Sequence, residues 1–206
     1  MTKNLSDQIV GIYERNAQGF DAGRGKVLLE RHWLERFLAA APAGGDVLDI
    51  GCGSGEPIAR FLIGQGRAVT GVDSSPAMIG MCEARFPQQN WIVADMRRLA
   101  LGRRFGGILA WHSFFHLPRD DQRAMFPVFR AHAMEGAALM FTSGPSDGEA
   151  IGSCCNEALY HASLSADEYT HLLRSNGFAV LDHVVEDRSC GGATVWLARA
   201  DESVVG

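Results

Sequence analysis

The chain has 206 residues, 47% of them hydrophobic, which suffices for one buried core without help from a metal or disulfide and is too short for two ordinary domains. Nineteen Lys and Arg against 24 Asp and Glu leave a formal charge of −5, and no cationic run exceeds a pair, which argues against a nucleic-acid groove. The longest apolar runs, such as 137–141, fall far short of the ~20 residues of a bilayer span, so no membrane segment is expected.

Five cysteines (Cys52, Cys82, Cys154, Cys155, Cys190), odd in number and without Cys-x-x-Cys spacing or a preceding secretory signal, predict a reduced, cytoplasmic chain. Helical periodicity opens the sequence over 5–18 and again over 26–41, where Leu28, Leu29, Trp33, Phe37 and Leu38 form a broad stripe. Pro42, Gly44 and Gly45 break that helix, and 46–50 reads as a buried strand running into glycines. The pattern then alternates: helix 56–65, strand 68–73, helix 76–86, strands 90–94 and 107–111 with only a turn between them, helix 120–133, strand 137–142. Apolar strands separated by helices predict a parallel sheet covered on both faces.

A polar, Gly-rich stretch at 143–153 precedes a helix predicted over 156–161. A second helix follows over 166–175, with Ser165 as N-cap, Glu168 completing a capping box and Asn176-Gly177 as the stop signal. The last two strands, 178–185 and 194–200, leave no room for a crossover helix and should pair as an antiparallel hairpin. The expected architecture is therefore one domain of Rossmann-like α/β class: a doubly wound, mostly parallel sheet over 45–200, helices on both faces, an antiparallel C-terminal hairpin strand, and an N-terminal helical lid within 1–44.

Asp49-Ile50-Gly51-Cys52-Gly53-Ser54-Gly55 joins the first strand to a helix, where small residues let the backbone approach a ligand. The dinucleotide fingerprint needs its third glycine at position 56, which is Glu56, and no P-loop Lys is present. The second strand ends in Asp73, whose carboxylate can accept from both hydroxyls of a ribose, and the third ends at Asp95, placed to accept an adenine amine. Three consecutive strand tips thus suit an adenosyl ligand.

Val47-Leu48-Asp49-Ile50-Gly51-Cys52-Gly53-Ser54-Gly55, Gly71-Val72-Asp73-Ser74-Ser75-Pro76-Ala77-Met78 and Ala94-Asp95-Met96 resemble successive motifs of class I S-adenosylmethionine-dependent methyltransferases, with a likeness extending from about residue 45 to 200. The resemblance implies S-adenosylmethionine as cofactor, with Gly51, Gly53 and Gly55 around the methionine moiety, Asp73 on the ribose, Asp95 with Met96 at the adenine, and Asp49, Ser74, Met78 and Trp111 also among the cofactor-binding residues. Tyr13-x-x-x-Ala17-x-x-Phe20-x-x-x-Arg24 is similar to the lid helix of small-molecule members, which puts Tyr13 and Arg24 against the cofactor, Arg24 on its carboxylate.

His112 and His116 leave the fourth strand at the same edge and are candidate bases for a protonated acceptor, weighed against packing roles. Glu157, Tyr160 and His161, read at helical spacing, are candidates for the acceptor pocket. A metal held by Cys154, Cys155 and His161 lacks a fourth ligand, and no metal is expected. The implied partner is a small-molecule acceptor, with neither nucleic acid nor membrane, and oligomeric state is not legible. A non-catalytic adenosylmethionine-binding module and a nicotinamide-dependent oxidoreductase are the alternatives.

Overall fold

In the computed structural model, which describes residues 5–25 and 27–201, all four residues of strand β1 (Val47–Ile50) are buried. The cause is a helical layer on each face. On one side, α2 (Arg31–Ala40), α3 (Ile58–Gly64) and α4 (Pro76–Arg85) bury Trp33, Phe37, Leu62 and Ile79 against Val47, Leu109 and Met140. On the other, α5 (Arg119–His132) and α6 (Ala166–Ser175) cover Leu48, Ile108 and Leu139. The remaining main-sheet strands are β2 (Val69–Asp73), β3 (Asn90–Val93), β4 (Phe105–Ala110), β5 (Ala133–Ser143), β8 (Phe178–Asp187) and β9 (Ala193–Ala200).

Their order is β3-β2-β1-β4-β5-β9-β8. The first five strands pair in parallel, whereas β9 inserts antiparallel between β5 and β8. This is the expected silhouette. From β1 the chain winds outward toward β3 and, after returning, outward through β4 to β5, so the switch point lies between β1 and β4. In such sheets the crevice beyond the strand ends at that point takes the ligand.

Under α5 and α6 lies an aromatic cluster in which Phe114 contacts Phe126, Phe129 and Phe141 at centroid distances of 6.0, 5.7 and 5.2 Å, and Phe141 stacks on Trp196. Phe114 is fully buried and belongs to the loop that carries His112 and His116, so the cluster anchors that loop. Truncating it to Ala would cost ~3–5 kcal/mol.

Two expectations are corrected. The segment 156–161 is not helical: β6 (Gly148–Cys154) and β7 (Glu157–Ser163) form a separate antiparallel hairpin. Cys155 and Asn156 both take left-handed φ values, +55° and +65°, the geometry of a tight two-residue hairpin turn, and Leu159, Tyr160 and Ala162 are buried against the lid and the main body. In the capping box, Ser165 accepts from the Glu168 amide at 3.2 Å, but the Glu168 carboxylate pairs with Arg123 instead of reaching back.

The lid helix α1 spans Ile9–Gly23, later than periodicity placed it. The second helix begins at Arg31, because Val27 and Leu29 stay exposed in a turn ahead of it; Lys26 and residues 1–4 lie outside the described residues. Among the described residues no helix is long and apolar enough to cross a membrane, and no group of three His, Cys, Asp or Glu could hold a metal ion.

Candidate active site

A cavity of about 380 Å³ lies at the C-terminal ends of β1, β2, β3 and β4 and is roofed by α1 and β7. Its floor is the glycine turn. Gly51, Gly53 and Gly55 all adopt left-handed φ values of +75°, +54° and +77°, which residues with a side chain rarely adopt. Each has a different steric role. A Cβ on Gly51 would stand 2.2 Å from the Ser113 Cβ, because the loop after β4 crosses directly over it and Ser113 Oγ donates to the Ile50 carbonyl at 2.6 Å. Gly55 packs under Phe86 and does not line the cavity. Gly53 lines the cavity with nothing within 4 Å of its missing Cβ, so it forms a cradle that a side chain would fill.

The turn's N–H groups are less available than its sequence suggests. Gly51 and Cys52 donate to the Val72 carbonyl, Gly53 to Asp73 Oδ2 at 2.9 Å, and Gly55 to the Cys52 carbonyl. Asp73 Oδ1 accepts from the Ser75 amide, also at 2.9 Å. Asp73 therefore ties the glycine turn to the start of α4 while each oxygen keeps a lone pair for a ligand. Burial raises its pKa, and the backbone donors oppose that rise. Ser74 Oγ donates to the Ala94 carbonyl at the same strand tips. Met78, Met96 and Trp111 supply apolar wall.

Asp95 faces the cavity, but Arg97 chelates its carboxylate, with Nη2 at 2.7 Å from Oδ2, and that pairing lowers its pKa. The adenine amine contact expected of Asp95 would have to compete with this ion pair. Asp49 is fully enclosed, and burial lifts its carboxyl to about 7, with nearby Arg24 opposing the rise. Arg24 lines the cavity while its Nε donates to the Glu56 carbonyl at 3.0 Å and its Nη2 pairs with Glu30.

The lid is held at several points. Glu14 accepts from Ser75 Oγ and from the Ala77 amide, capping α4. Asp21 accepts from Ser54 Oγ at 2.6 Å and from both terminal nitrogens of Arg85 at 2.7 and 2.6 Å. Glu157, expected to face the acceptor, pairs with Arg15 and Asn16 of α1 instead. Tyr160 is likewise turned away: its ring is buried among the lid and roof residues and its hydroxyl donates to Glu149 at 2.7 Å. Successive β-strand residues alternate faces, so of that trio only His161, with its neighbour-but-one Leu159, lines the cavity.

The two candidate histidines differ. Both ring nitrogens of His116 are occupied: Nδ1 lies 2.9 Å from the Tyr160 carbonyl, which only an N–H can satisfy, leaving Nε2 to accept from the Tyr13 hydroxyl at 3.0 Å. His116 thereby joins the lid, the loop after β4 and the roof, and burial pushes it down to about 4. Burial also raises the Tyr13 phenol, which therefore keeps its proton to donate. His112 instead exposes its ring to the cavity, from a backbone φ of +51° that is uncommon for a residue with a side chain. Buried Thr142, which sequence reasoning passed over, holds this conformation by accepting the His112 amide at 2.9 Å. Burial by the surrounding protein and the charges of Arg24 and His161 lower the His112 pKa.

A family model described as a methyltransferase domain matches residues 47–136, the segment holding all three strand-tip motifs. The chain superposes on the CcbJ methyltransferase of Streptomyces caelestis with a TM-score of 0.72, at 17% identity and covering 90% of this chain and 96% of that one. Residues 47–136 thus match a methyltransferase domain, and the chain shares its fold with a solved methyltransferase.

Among curated proteins, the chain is 29% identical over 168 residues to an O-methyltransferase from Pyrenophora dematioidea. The match takes in 75% of the chain but 62% of that relative, so the chain spans less than two thirds of its length. An amino pentose methyltransferase of Micromonospora echinaspora, solved with S-adenosylmethionine bound, shares the fold with a TM-score of 0.70, at 18% identity and covering 92% of this chain and 96% of that one.

Proposed function

We propose that this protein binds S-adenosylmethionine in the strand-tip cavity and transfers its methyl group to a small-molecule acceptor by in-line displacement. The observation that carries the reading is one continuous cavity, running from the Gly53 cradle and the Asp73 carboxylate to an exposed imidazole, His112, under the lid. When bound, the cofactor supplies an electrophilic methyl on a sulfonium.

The chain's own residues do the rest. Asp73 accepts the ribose hydroxyls with the lone pairs its backbone donors leave free, and Gly53 allows the close approach beside it. Arg24 supplies positive charge at the turn end, beside the buried Asp49 carboxyl, while Trp111, Met78 and Met96 cover apolar surface. The lid, latched by Glu14 and Asp21, excludes water, which matters because displacement at carbon depends on alignment and dehydration more than on strong acid or base. His112 takes the acceptor's proton, and His116, with both nitrogens engaged, positions the lid through Tyr13.

Calorimetric titration with S-adenosylhomocysteine and with NAD tests the cofactor half of this reading. The thioether should bind and NAD should not; tighter binding of NAD would overturn it. Mass spectrometry of a metabolite extract incubated with protein and S-adenosylmethionine should then show a product gaining one methyl group.

A further inference from the structure

Past the cofactor end, the cavity opens into a chamber between α1 and β7. Ile9 and Val10 of the lid, Leu159 of the roof and the Phe115 ring make its walls apolar. Two imidazoles, His112 and His161, line it beside the Phe115 ring. Phe115 contacts both, edge-on to His161 with centroids 5.1 Å apart and tilted against His112 at 5.7 Å. Burial lowers both histidines, and the charge of His161 would lower His112 further, so at neutral pH each is an uncharged ring with one donor and one acceptor nitrogen.

Charged groups are placed elsewhere. Asp49, Glu56, Asp73 and Asp95 line the cavity at the glycine turn and strand tips. Asp7 belongs to an exposed turn before α1. The lining cations are already paired, Arg24 with Glu30 and Arg97 with Asp95 and Asp121. Among the described residues, an ammonium acceptor in the chamber would meet only the solvent-exposed Asp7, and a carboxylate acceptor only cations already paired, so neither charge would have its water replaced.

We infer that the acceptor is a neutral, planar hydroxyaryl compound, seated against Phe115, with its phenol-type hydroxyl bonded to the His112/His161 pair and methylated on oxygen. This rests on the cofactor reading above. A weakly basic imidazole suits a phenol-type proton, whose pKa is near ~10, far better than that of an aliphatic alcohol. In the transfer the acceptor oxygen forms a bond to the methyl carbon as the carbon–sulfur bond breaks. The bonding pair returns to sulfur as a thioether, and the hydroxyl proton passes to His112, so the positive charge leaves sulfur and ends on an imidazolium.

The test titrates protein saturated with S-adenosylhomocysteine with four probes of one shape: 2-naphthol, its methyl ether, 2-naphthoate and a naphthylethylammonium. 2-Naphthol should bind at least tenfold more tightly than either ion. His161→Leu should weaken 2-naphthol about 2- to 10-fold, the worth of one neutral hydrogen bond, leave the methyl ether and S-adenosylhomocysteine unchanged, and be rescued in part by His161→Gln. Equal or tighter binding of either ion, or equal weakening of naphthol and its ether, overturns the inference while the cofactor reading stands. Failure of the wild-type protein to bind S-adenosylhomocysteine at all overturns both.

Discussion

Replacing Asp49 with Asn should make the ligand-free protein more stable, and increasingly so as the pH rises. The carboxyl is fully enclosed and titrates at about 7, against ~3.9 in an unfolded chain. Because the folded pKa is raised, the native state holds a proton that the unfolded state has lost between those two values. The stabilising contribution is complete below pH 4 and disappears as the pH climbs through 7. Three units at ~1.36 kcal/mol each bound the loss at about 4 kcal/mol, and Asn, which has no proton to lose, escapes it. Urea unfolding of wild type and Asp49→Asn at pH 4.5, 6, 7.5 and 8.5 isolates this group, since titrations common to both cancel in the difference. The variant's advantage should grow by roughly 2–4 kcal/mol from the lowest to the highest pH, with near-constant m-values. A difference that stays flat, or that falls with pH, would refute the claim that burial holds the Asp49 carboxyl protonated.

Asp73→Ala removes the acceptor for two backbone amides as well as the ribose contact, so it should lower the melting temperature and also weaken S-adenosylhomocysteine about 10- to 100-fold; an unchanged dissociation constant would show that the carboxylate acts only on the backbone. Asp21→Ala unlatches α1 from Ser54 and Arg85 and should speed release of S-adenosylhomocysteine about tenfold or more in stopped flow, with greater protease sensitivity in the lid. Once an acceptor is known, His112→Gln should preserve cofactor affinity yet lower kcat by ~10²–10⁴, whereas His116→Gln should lose stability and lid closure. Because the His112 imidazole is held below its ordinary value, wild-type kcat should stay flat from pH 7 to 8 and fall only below the usual histidine range; an inflection above pH 7 would contradict that environment.

What the sequence determined by itself is local chemistry in chain order. Alternating strand and helix patterns, the breaks at glycine and proline, and strand-ending Asp49, Asp73 and Asp95 sufficed for the sheet, its antiparallel end and the strand-tip cavity, because each signal lies within one element and its turn. The region 148–163 was misread for a physical reason. Glu157, Tyr160 and His161 satisfy helical spacing on paper, but Cys155 and Asn156 in left-handed conformation close a hairpin, and alternation then sends Tyr160 and His161 to opposite faces. Only the tertiary structure decided what each polar side chain is spent on. Glu157 is drawn to the lid by Arg15 and Asn16, and the two histidines four residues apart part ways because Tyr13 and Tyr160, from distant segments, claim both nitrogens of one and leave the other facing the cavity. A hydrogen bond between residues more than forty positions apart leaves no periodicity in the chain, so the division of labour at this site exists only once the fold has closed.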